Sequence, residues 1–173
     1  MSRRNVLIIL VMLITASTAV AKRKKKNLND KITPEEIVFN TLRFGATPAE
    51  YKLLYPDSLQ KIGQYTYIFH PCFVKDKLVS LDIITPNEEA KDFKQYGQLL
   101  TNAMVDHFVA QFGPPFAQWY VPALTSFTTY QKANISNWQV NTKNIEIYVI
   151  KCDYQSYRGV CSISSKALAA AKP

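Results

Sequence analysis

The sequence predicts an α+β domain in which two short helices and one long helix pack on one face of an antiparallel β-sheet. The first observation behind this prediction is that strand-like segments are grouped before and after a long helical segment, instead of alternating singly with helices. The second is a repeated helix-start pattern, Thr-Pro-x-Glu, at residues 33–36, 47–50 and 85–88. Grouped strands with segregated helices are typical of α+β proteins.

The helices are indicated by that start pattern, which places Thr at the N-cap, Pro at the first helical position and Glu where it reaches back to the cap. It predicts helices over residues 34–44, 48–54 and 86–112. The third carries apolar residues in steps of three and four, and Gly113 ends it. Gly97 lies inside this helix at a cost of about 1 kcal/mol relative to alanine, which indicates either that a strand or loop packs close there or that the helix is locally soft.

The strands lie on both sides of the long helix. Residues 65–72 and 77–84 alternate around aromatic and β-branched side chains, and a turn at Lys75-Asp76-Lys77 joins them into a hairpin. The turn-rich residues 141–144 are expected to join two of the later strands. The strands expected after the helix are residues 124–131, 138–140, 145–152 and 160–164.

The N-terminus has the three-part layout of a secretory signal peptide. Two arginines give a positive start, an apolar run comes next over residues 6–16, and small residues end at Ala21. A signal peptide over residues 1–21, cleaved after Ala21, makes the mature protein periplasmic or secreted. The rival interpretation is an uncleaved membrane anchor, because the five cations at residues 22–26 oppose export of the chain beyond them.

The remaining chain is expected to form a basic flexible leader (22–31), a single α+β domain (32–165) and a flexible alanine-rich tail (166–173). The net charge of +8 comes from 21 basic and 13 acidic residues, but seven of the basic residues lie before residue 27. That leaves 14 cations against 13 acidic residues, so the domain is nearly neutral. Nucleic acid is therefore excluded as a partner, because binding it requires clustered cations. Membrane contact is expected only through the leader.

The mature chain has three cysteines, at positions 72, 152 and 161. In an oxidising compartment two of them are expected to pair and one to be left over. Cys152 and Cys161 flank a short segment between two predicted strands. A disulfide between them would place Ile150 opposite Ile163, which is a sensible antiparallel register.

Few residues suggest catalysis or metal binding. His70 and Cys72 are two apart on a predicted strand and so share a face, but no nucleophile signature surrounds them, and Cys72 is also explained as a small apolar filler. His107 has no second ligand at helical spacing, and the five glycines are scattered singly rather than forming a phosphate loop. No metal, cofactor or enzymatic activity is predicted.

Aromatic residues give the strongest indication of binding. The Pro-bounded segment 116–122 lies between helix and strand, and aromatic side chains on a loop bring a large contact area at low entropic cost. The alternative is a loop that folds down to cap the sheet edge. A second candidate surface is the turn after residue 152. The candidate binding residues are Phe116, Trp119, Tyr120, Tyr154, Tyr157 and Arg158.

The stretch from Leu42 to Tyr51, Leu-Arg-Phe-Gly-Ala-Thr-Pro-Ala-Glu-Tyr, resembles the start of small secreted proteins of the Gram-negative envelope. These are of the small protein A and β-lactamase-inhibitor-protein type. The hairpin with Lys77-Leu78, the helix end at Phe112-Gly113-Pro114, and Trp138 are similar to proteins of the same type. The resemblance implies a protein-binding module of the envelope.

The sequence therefore leads to the hypothesis of an exported, non-enzymatic protein-binding module, whose partner is another envelope or secreted protein. An inhibitor or immunity protein directed against a secreted enzyme or toxin is a variant of this hypothesis. The alternatives are an enzyme of unrecognised type that uses Cys72 and His70, and a membrane-anchored structural subunit with an uncleaved N-terminus.

Overall fold

The computed structural model describes residues 33, 36–121, 123–153 and 155–169. Within those ranges, no helix is both long enough and apolar enough to span a membrane. The predicted signal peptide and basic leader lie outside the described residues.

The described residues form ten β-strands and four α-helices. The strands are β1 (Ile37–Phe39), β2 (Leu42–Arg43), β3 (Leu59–Ile62), β4 (Tyr65–Val74), β5 (Lys77–Ile84), β6 (Glu88–Glu89), β7 (Ala117–Gln118), β8 (Lys132–Val140), β9 (Lys143–Lys151) and β10 (Ser156–Ser165). The helices are α1 (Pro48–Leu54), α2 (Ala90–Asp92), α3 (Gln98–Phe112) and α4 (Lys166–Ala169), with a 3₁₀ turn at Leu124–Ser126. A π-helical turn at Phe93–Gly97 joins α2 and α3 into what we call the long helix.

The α+β class is confirmed. Among the described residues, eight strands form one antiparallel sheet with the order β3-β4-β5-β10-β9-β8-β7, and β6 pairs with the end of β10. β1 and β2 form a separate two-stranded hairpin. The sheet is therefore built from the two predicted groups of strands, which meet where β5 pairs with β10.

The long helix packs on one face of the sheet. Successive side chains of a strand point to opposite faces, so directly paired residues form rows across the sheet. The hydroxyl of Tyr67 on β4 donates to the carbonyl of Leu100 in the long helix at 2.9 Å, which identifies the covered face. One buried row on that face consists of Phe69, Ile83, Cys161 and Ile147.

The predicted start of α1 is confirmed in detail. The Thr47 hydroxyl accepts from the Glu50 amide at 3.2 Å, and the Glu50 carboxylate accepts from the Thr47 amide at 2.7 Å. The Glu50 carboxylate also accepts from the Thr47 hydroxyl at 3.0 Å. The two hydrogen bonds to the carboxylate, of which that from the Thr47 amide has the larger effect, hold the pKa of Glu50 below its usual value. All the interactions of this capping box lie within four consecutive residues, so the local sequence supplies every partner.

The helix predicted over residues 34–44 is wrong in the described part of that segment, which forms the β1–β2 hairpin. Asn40 turns the chain with a left-handed φ of 51°, a conformation that Asn tolerates better than most residues. Val38, Phe39 and Leu42 are all buried in the core. Tertiary burial of these apolar side chains therefore outweighs the helix-start pattern before them.

The predicted start of the long helix is also wrong. Thr85 is fully buried; its hydroxyl accepts from the Gly159 amide at 2.9 Å and donates to the Pro86 carbonyl at 3.1 Å. The chain then continues as β6 (Glu88–Glu89) against β10, and the helix begins only at Ala90. The sheet holds Thr85 in place, so this residue does not cap the helix.

Close packing explains the glycine within the long helix. The Phe93 ring lies where a Cβ atom of residue 97 would be, so any larger residue would displace the ring. Gly97 also ends the π-helical turn that begins at Phe93. One sequence-based interpretation expected a strand or loop to pack close to this glycine, but the close contact is with the helix's own aromatic side chain.

Two later segments differ from their predictions. Residues 124–131 do not form a strand: Leu124 and Phe127 are buried, Tyr130 has a left-handed φ of 63°, and β8 begins at Lys132. The start of the predicted flexible tail is ordered, because the Lys166 amide donates to a carbonyl of the β8–β9 turn at 2.8 Å and residues 166–169 are helical. The sequence does not predict the short strands β3 and β7.

The predicted disulfide between Cys152 and Cys161 is wrong, because both are free thiols. The β9–β10 turn is tighter than expected, so Ile150 lies opposite Arg158, and Ile163 lies opposite Ile145. Cys161 consequently points into the core, and Cys152 lies next to the turn, where its amide donates to the Ser156 carbonyl at 2.9 Å. Cys72 is free and exposed.

Candidate aromatic binding site

The aromatic residues after the long helix are held on a fixed backbone. The Phe116 amide donates to the Asn137 carbonyl, and the Trp119 amide to the Ile135 carbonyl, each at 2.8 Å. These bonds attach β7 and its neighbours to β8 at the edge of the sheet. The segment therefore does lie at the sheet edge, as the alternative interpretation proposed, but its aromatic side chains are not buried there.

Three of the six predicted binding residues are exposed on this segment, and we call them together the aromatic surface: Phe116, Trp119 and Tyr120. Phe116 is 90% exposed, Tyr120 is 98% exposed and Trp119 is 47% exposed. An isolated exposed aromatic residue needs no explanation, but three exposed aromatic residues within five positions of one hydrogen-bonded segment make this segment a candidate binding surface.

A cleft of about 460 Å³ lies between this segment and the long helix, and we call it the aromatic cleft. Trp119, Tyr120 and Val121 contribute one wall, and Ile135 of β8 also lines it. The opposite wall is a polar face of the helix, formed by Gln98, Asn102 and Asp106. These three side chains are spaced four residues apart, which aligns them along one side of a helix.

The cleft offers groups for hydrogen bonding and for stacking. The two amide side chains both donate and accept, Asp106 supplies a carboxylate, and Trp119 and Tyr120 supply aromatic faces. No group of three or more His, Cys, Asp or Glu side chains among the described residues is arranged to hold a metal ion. A cleft of this size is in the range of small-ligand or side-chain pockets.

The second predicted surface does not form as expected. Tyr157 is a core residue, so its predicted place on an exposed turn is wrong. Its hydroxyl donates to the Leu124 carbonyl at 2.9 Å, and its ring packs against Phe93 and Phe127. Arg158 points to the opposite face of β10 and is half-buried. Tyr154 lies outside the described residues.

The turn beside these residues is held by Asp153 and not by a disulfide. The Asp153 carboxylate accepts from the amides of Gln155 at 3.0 Å and Ser156 at 2.8 Å. These hydrogen bonds lower the pKa of Asp153, and the one from the Gln155 amide has the largest effect. A carboxylate that bonds to amides two and three residues ahead is a common way to stabilise a tight turn.

His70 and Cys72 share the uncovered face of β4, as their spacing predicts. Both are exposed, opposite Asp82 and Ser80 respectively. Cys72 is therefore not the packed apolar filler that one interpretation expected. Among the described residues, no hydrogen bond orients His70 towards the thiol.

His107 serves as a packing residue. Its ring lies 5.4 Å from that of Phe39 in the β1–β2 hairpin, and its Nε2 lies 3.0 Å from the side-chain nitrogen of Gln111. Burial lowers its pKa. These contacts link the N-terminal hairpin to the long helix.

Sequence reasoning misses the polar wall of the cleft. The four-residue spacing of Gln98, Asn102 and Asp106 is visible in the sequence, but the apolar stripe of that helix is the stronger pattern. The spacing alone does not indicate which segment packs opposite. Comparison with protein-family models, with curated proteins and with solved structures gives no match to this chain.

Proposed function

We propose that this protein is an exported, non-enzymatic module that binds another protein of the cell envelope or a secreted protein. The observation that carries the proposal is the aromatic surface: Phe116, Trp119 and Tyr120 are exposed on a backbone that hydrogen bonds fix to β8. An inhibitor or immunity protein would use the same surface, and the identity of the partner distinguishes these roles.

The physical chemistry of interfaces supports this surface. Trp and Tyr are the residues whose truncation most often costs about 2 kcal/mol or more in binding, because they bury large areas with few rotatable bonds. A backbone that is already ordered reduces the entropy lost on association. The aromatic cleft beside Trp119 also provides room for a partner side chain, of the kind that forms the centre of an interface.

Export is supported by the N-terminal layout of a positive start, an apolar run and small residues up to Ala21. Intact-mass measurement of the protein isolated from its own cells tests this part directly. A mature chain that begins at Lys22 is expected. A chain that retains Met1 would instead favour the membrane-anchored alternative.

Affinity capture tests the binding function. Full-length wild-type protein and the variants Trp119→Ala and Tyr120→Ala are immobilised and exposed to an envelope extract of the source cells. Both variants are expected to retain the fold by circular dichroism and to lose most of the captured partner, since each removes a large exposed anchor.

Leu53→Ala is the matched control, because Leu53 is 84% exposed on α1, outside the aromatic surface. It is expected to capture the partner as the wild type does. A captured protein that is retained equally by all four samples, or the absence of any captured protein, contradicts the proposed function.

A further inference from the structure

The aromatic cleft is one end of a longer groove. Two more cavities, of about 230 and 390 Å³, continue from it along the long helix. Gln98 and Val121 line both the cleft and the first of these cavities. Lys94, Ala123 and Leu124 line both the first and the second. The three cavities therefore adjoin one another along the helix, and we call them together the helix–loop groove.

The length of the groove matches a short extended peptide. Its helix wall runs from Ala90 to Asp106. At a rise of 1.5 Å per residue this wall is about 24 Å long. An extended chain advances by about 3.3 Å per residue, so about seven residues would fill the groove.

The chemistry of the groove changes from one end to the other. Lys91 and Lys94 line the end near the start of the helix. Four apolar residues line the central cavity: Val121 and Ala123, which are half-buried and exposed, and Phe93 and Leu124, which are almost fully buried. Asp106 lies at the opposite end, in the aromatic cleft. The groove is thus basic, then apolar, then acidic and aromatic.

The charged groups are available to a ligand. Lys91, Lys94 and Asp106 are exposed, and none of them has an ion-pair partner among the described residues. Between them, the amide side chains of Gln95 and Gln98 line the groove and offer both donors and acceptors. A peptide backbone presents donors and acceptors that require such partners.

We propose that the helix–loop groove receives an extended peptide segment of the partner protein. An acidic residue of the segment lies against Lys91 and Lys94, an apolar side chain enters the central cavity, and a basic residue lies near Asp106. This inference rests on the proposed protein-binding function and specifies its ligand. A neutral oligosaccharide would also stack on Trp119, but it would leave the opposite charges at the two ends unused.

The spacing of the charges makes the proposal specific. Lys94 and Asp106 are twelve residues apart on the helix wall, which corresponds to about 18 Å. An extended peptide covers that distance in about five or six residues. A matching peptide therefore carries acidic and basic residues about five or six positions apart, with an apolar residue between them, in either chain direction.

Selection from a random heptapeptide display library on the immobilised full-length protein tests this pattern. Enriched peptides are expected to show it, and a synthetic consensus peptide is then titrated by fluorescence anisotropy. Lys94→Glu is expected to weaken its binding by roughly tenfold or more, since like charges then face each other. Lys52→Glu, at an exposed lysine on α1, is the charge-matched control and is expected to change binding less than about twofold.

Asp106→Lys provides a second test, in which the charge pattern of the selected peptides is expected to change. Both ends of the groove are then basic, so selection on this variant is expected to enrich peptides that are acidic at both ends. The proposal is overturned if no peptides are enriched, if enriched peptides lack the charge spacing, or if Lys94→Glu and Lys52→Glu have equal effects. Binding of oligosaccharides in place of peptides, or self-association through Trp119, would also overturn it.

The two proposals fail in different ways. If Trp119→Ala abolishes partner capture while Lys94→Glu leaves it unchanged, the partner uses the aromatic surface alone, and only the peptide inference is wrong. If Trp119→Ala and Tyr120→Ala both leave capture unchanged, the proposed function is wrong.

Discussion

Gly159 on β10 lies directly beneath Thr101 of the long helix, with no room between them for a Cβ atom. A Cβ added at residue 159 would overlap the Thr101 hydroxyl oxygen and lie 3.3 Å from the Thr85 side chain. The Thr101 hydroxyl donates to the Gly97 carbonyl at 2.7 Å, so it is not free to turn away. This contact brings the helix, and with it one wall of the groove, close to the sheet.

Gly159→Ala is expected to destabilise the domain by about 1–3 kcal/mol, because overpacking a tight contact forces backbone shifts. Urea unfolding followed by circular dichroism measures the change. Ser162→Ala, on the uncovered face of the same strand, is the control and should cost less. In a double-mutant cycle, Thr101→Ala should recover part of the loss. Equal stability of Gly159→Ala and wild type would show that the helix does not approach this closely.

The sequence predicts the class of the fold and the elements whose determinants are local. The capping box at Thr47 is an example, since its partners lie within four residues. The same pattern at Thr85 fails because Gly159, 74 residues away, supplies the hydrogen-bond partner. Such a long-range competitor is not visible in a pattern of adjacent residues.

The same distinction explains how much of the candidate site could be predicted. The segment containing Trp119 and Tyr120 is recognisable because prolines bound it and place its aromatic residues on a loop. The sequence pattern places Tyr157 on a surface turn, but β10 begins at Ser156 and directs the Tyr157 side chain into the core. The groove joins two segments that are distant in sequence, so its existence depends on tertiary packing.

The three free thiols are expected to differ in reactivity. Cys72 is exposed and should react first with a thiol reagent in the native protein. Cys152 should react more slowly, because burial raises its pKa and reduces its thiolate fraction. Burial raises the pKa of Cys161 as well, and that thiol should react only after denaturation.

Thiol titration with and without denaturant, in the wild type and in Cys72→Ser, assigns the fast and slow phases of the thiol reaction to individual cysteines. Loss of the fast phase in the variant is expected. Detection of fewer thiols than cysteines in the denatured, unreduced protein would indicate a disulfide and contradict the β9–β10 register.

His107 is expected to make the domain less stable in mild acid. Burial lowers its folded-state pKa below the ordinary value of about 6.5, so the unfolded chain binds the proton more readily. The neutral ring therefore contributes stability above the unfolded pKa, and this contribution is lost as the pH falls towards the folded pKa. The free energy of unfolding should decrease between about pH 7.5 and 5.5.

Urea unfolding over that pH range measures the effect. His107→Leu should flatten the profile. A slope that persists in His107→Leu would assign the pH dependence to other groups.

Lys143 is expected to anchor the N-terminal hairpin. Its side chain is 1% exposed, its Nζ donates to the Ile37 carbonyl at 3.1 Å, and the same Nζ lies 4.2 Å from the centre of the Phe112 ring. Lys143→Met keeps most of the apolar stem but removes the charged donor. Hydrogen bonds of this kind contribute about 1.5–3 kcal/mol, so a loss of that order is expected.

Hydrogen exchange distinguishes anchoring from a general loss of stability. In Lys143→Met the hairpin is released from the sheet, so amides of β1 and β2 should exchange faster than in the wild type. The increase should be larger than the decrease in global stability alone would produce. Lys132→Met is the matched control: its ammonium group lies 4.3 Å from the Tyr148 ring, but the residue is exposed. This control should cost less than about 1 kcal/mol and leave the hairpin protected. Uniform exchange changes in Lys143→Met would mean that the lysine supports the core as a whole and has no specific role in the hairpin.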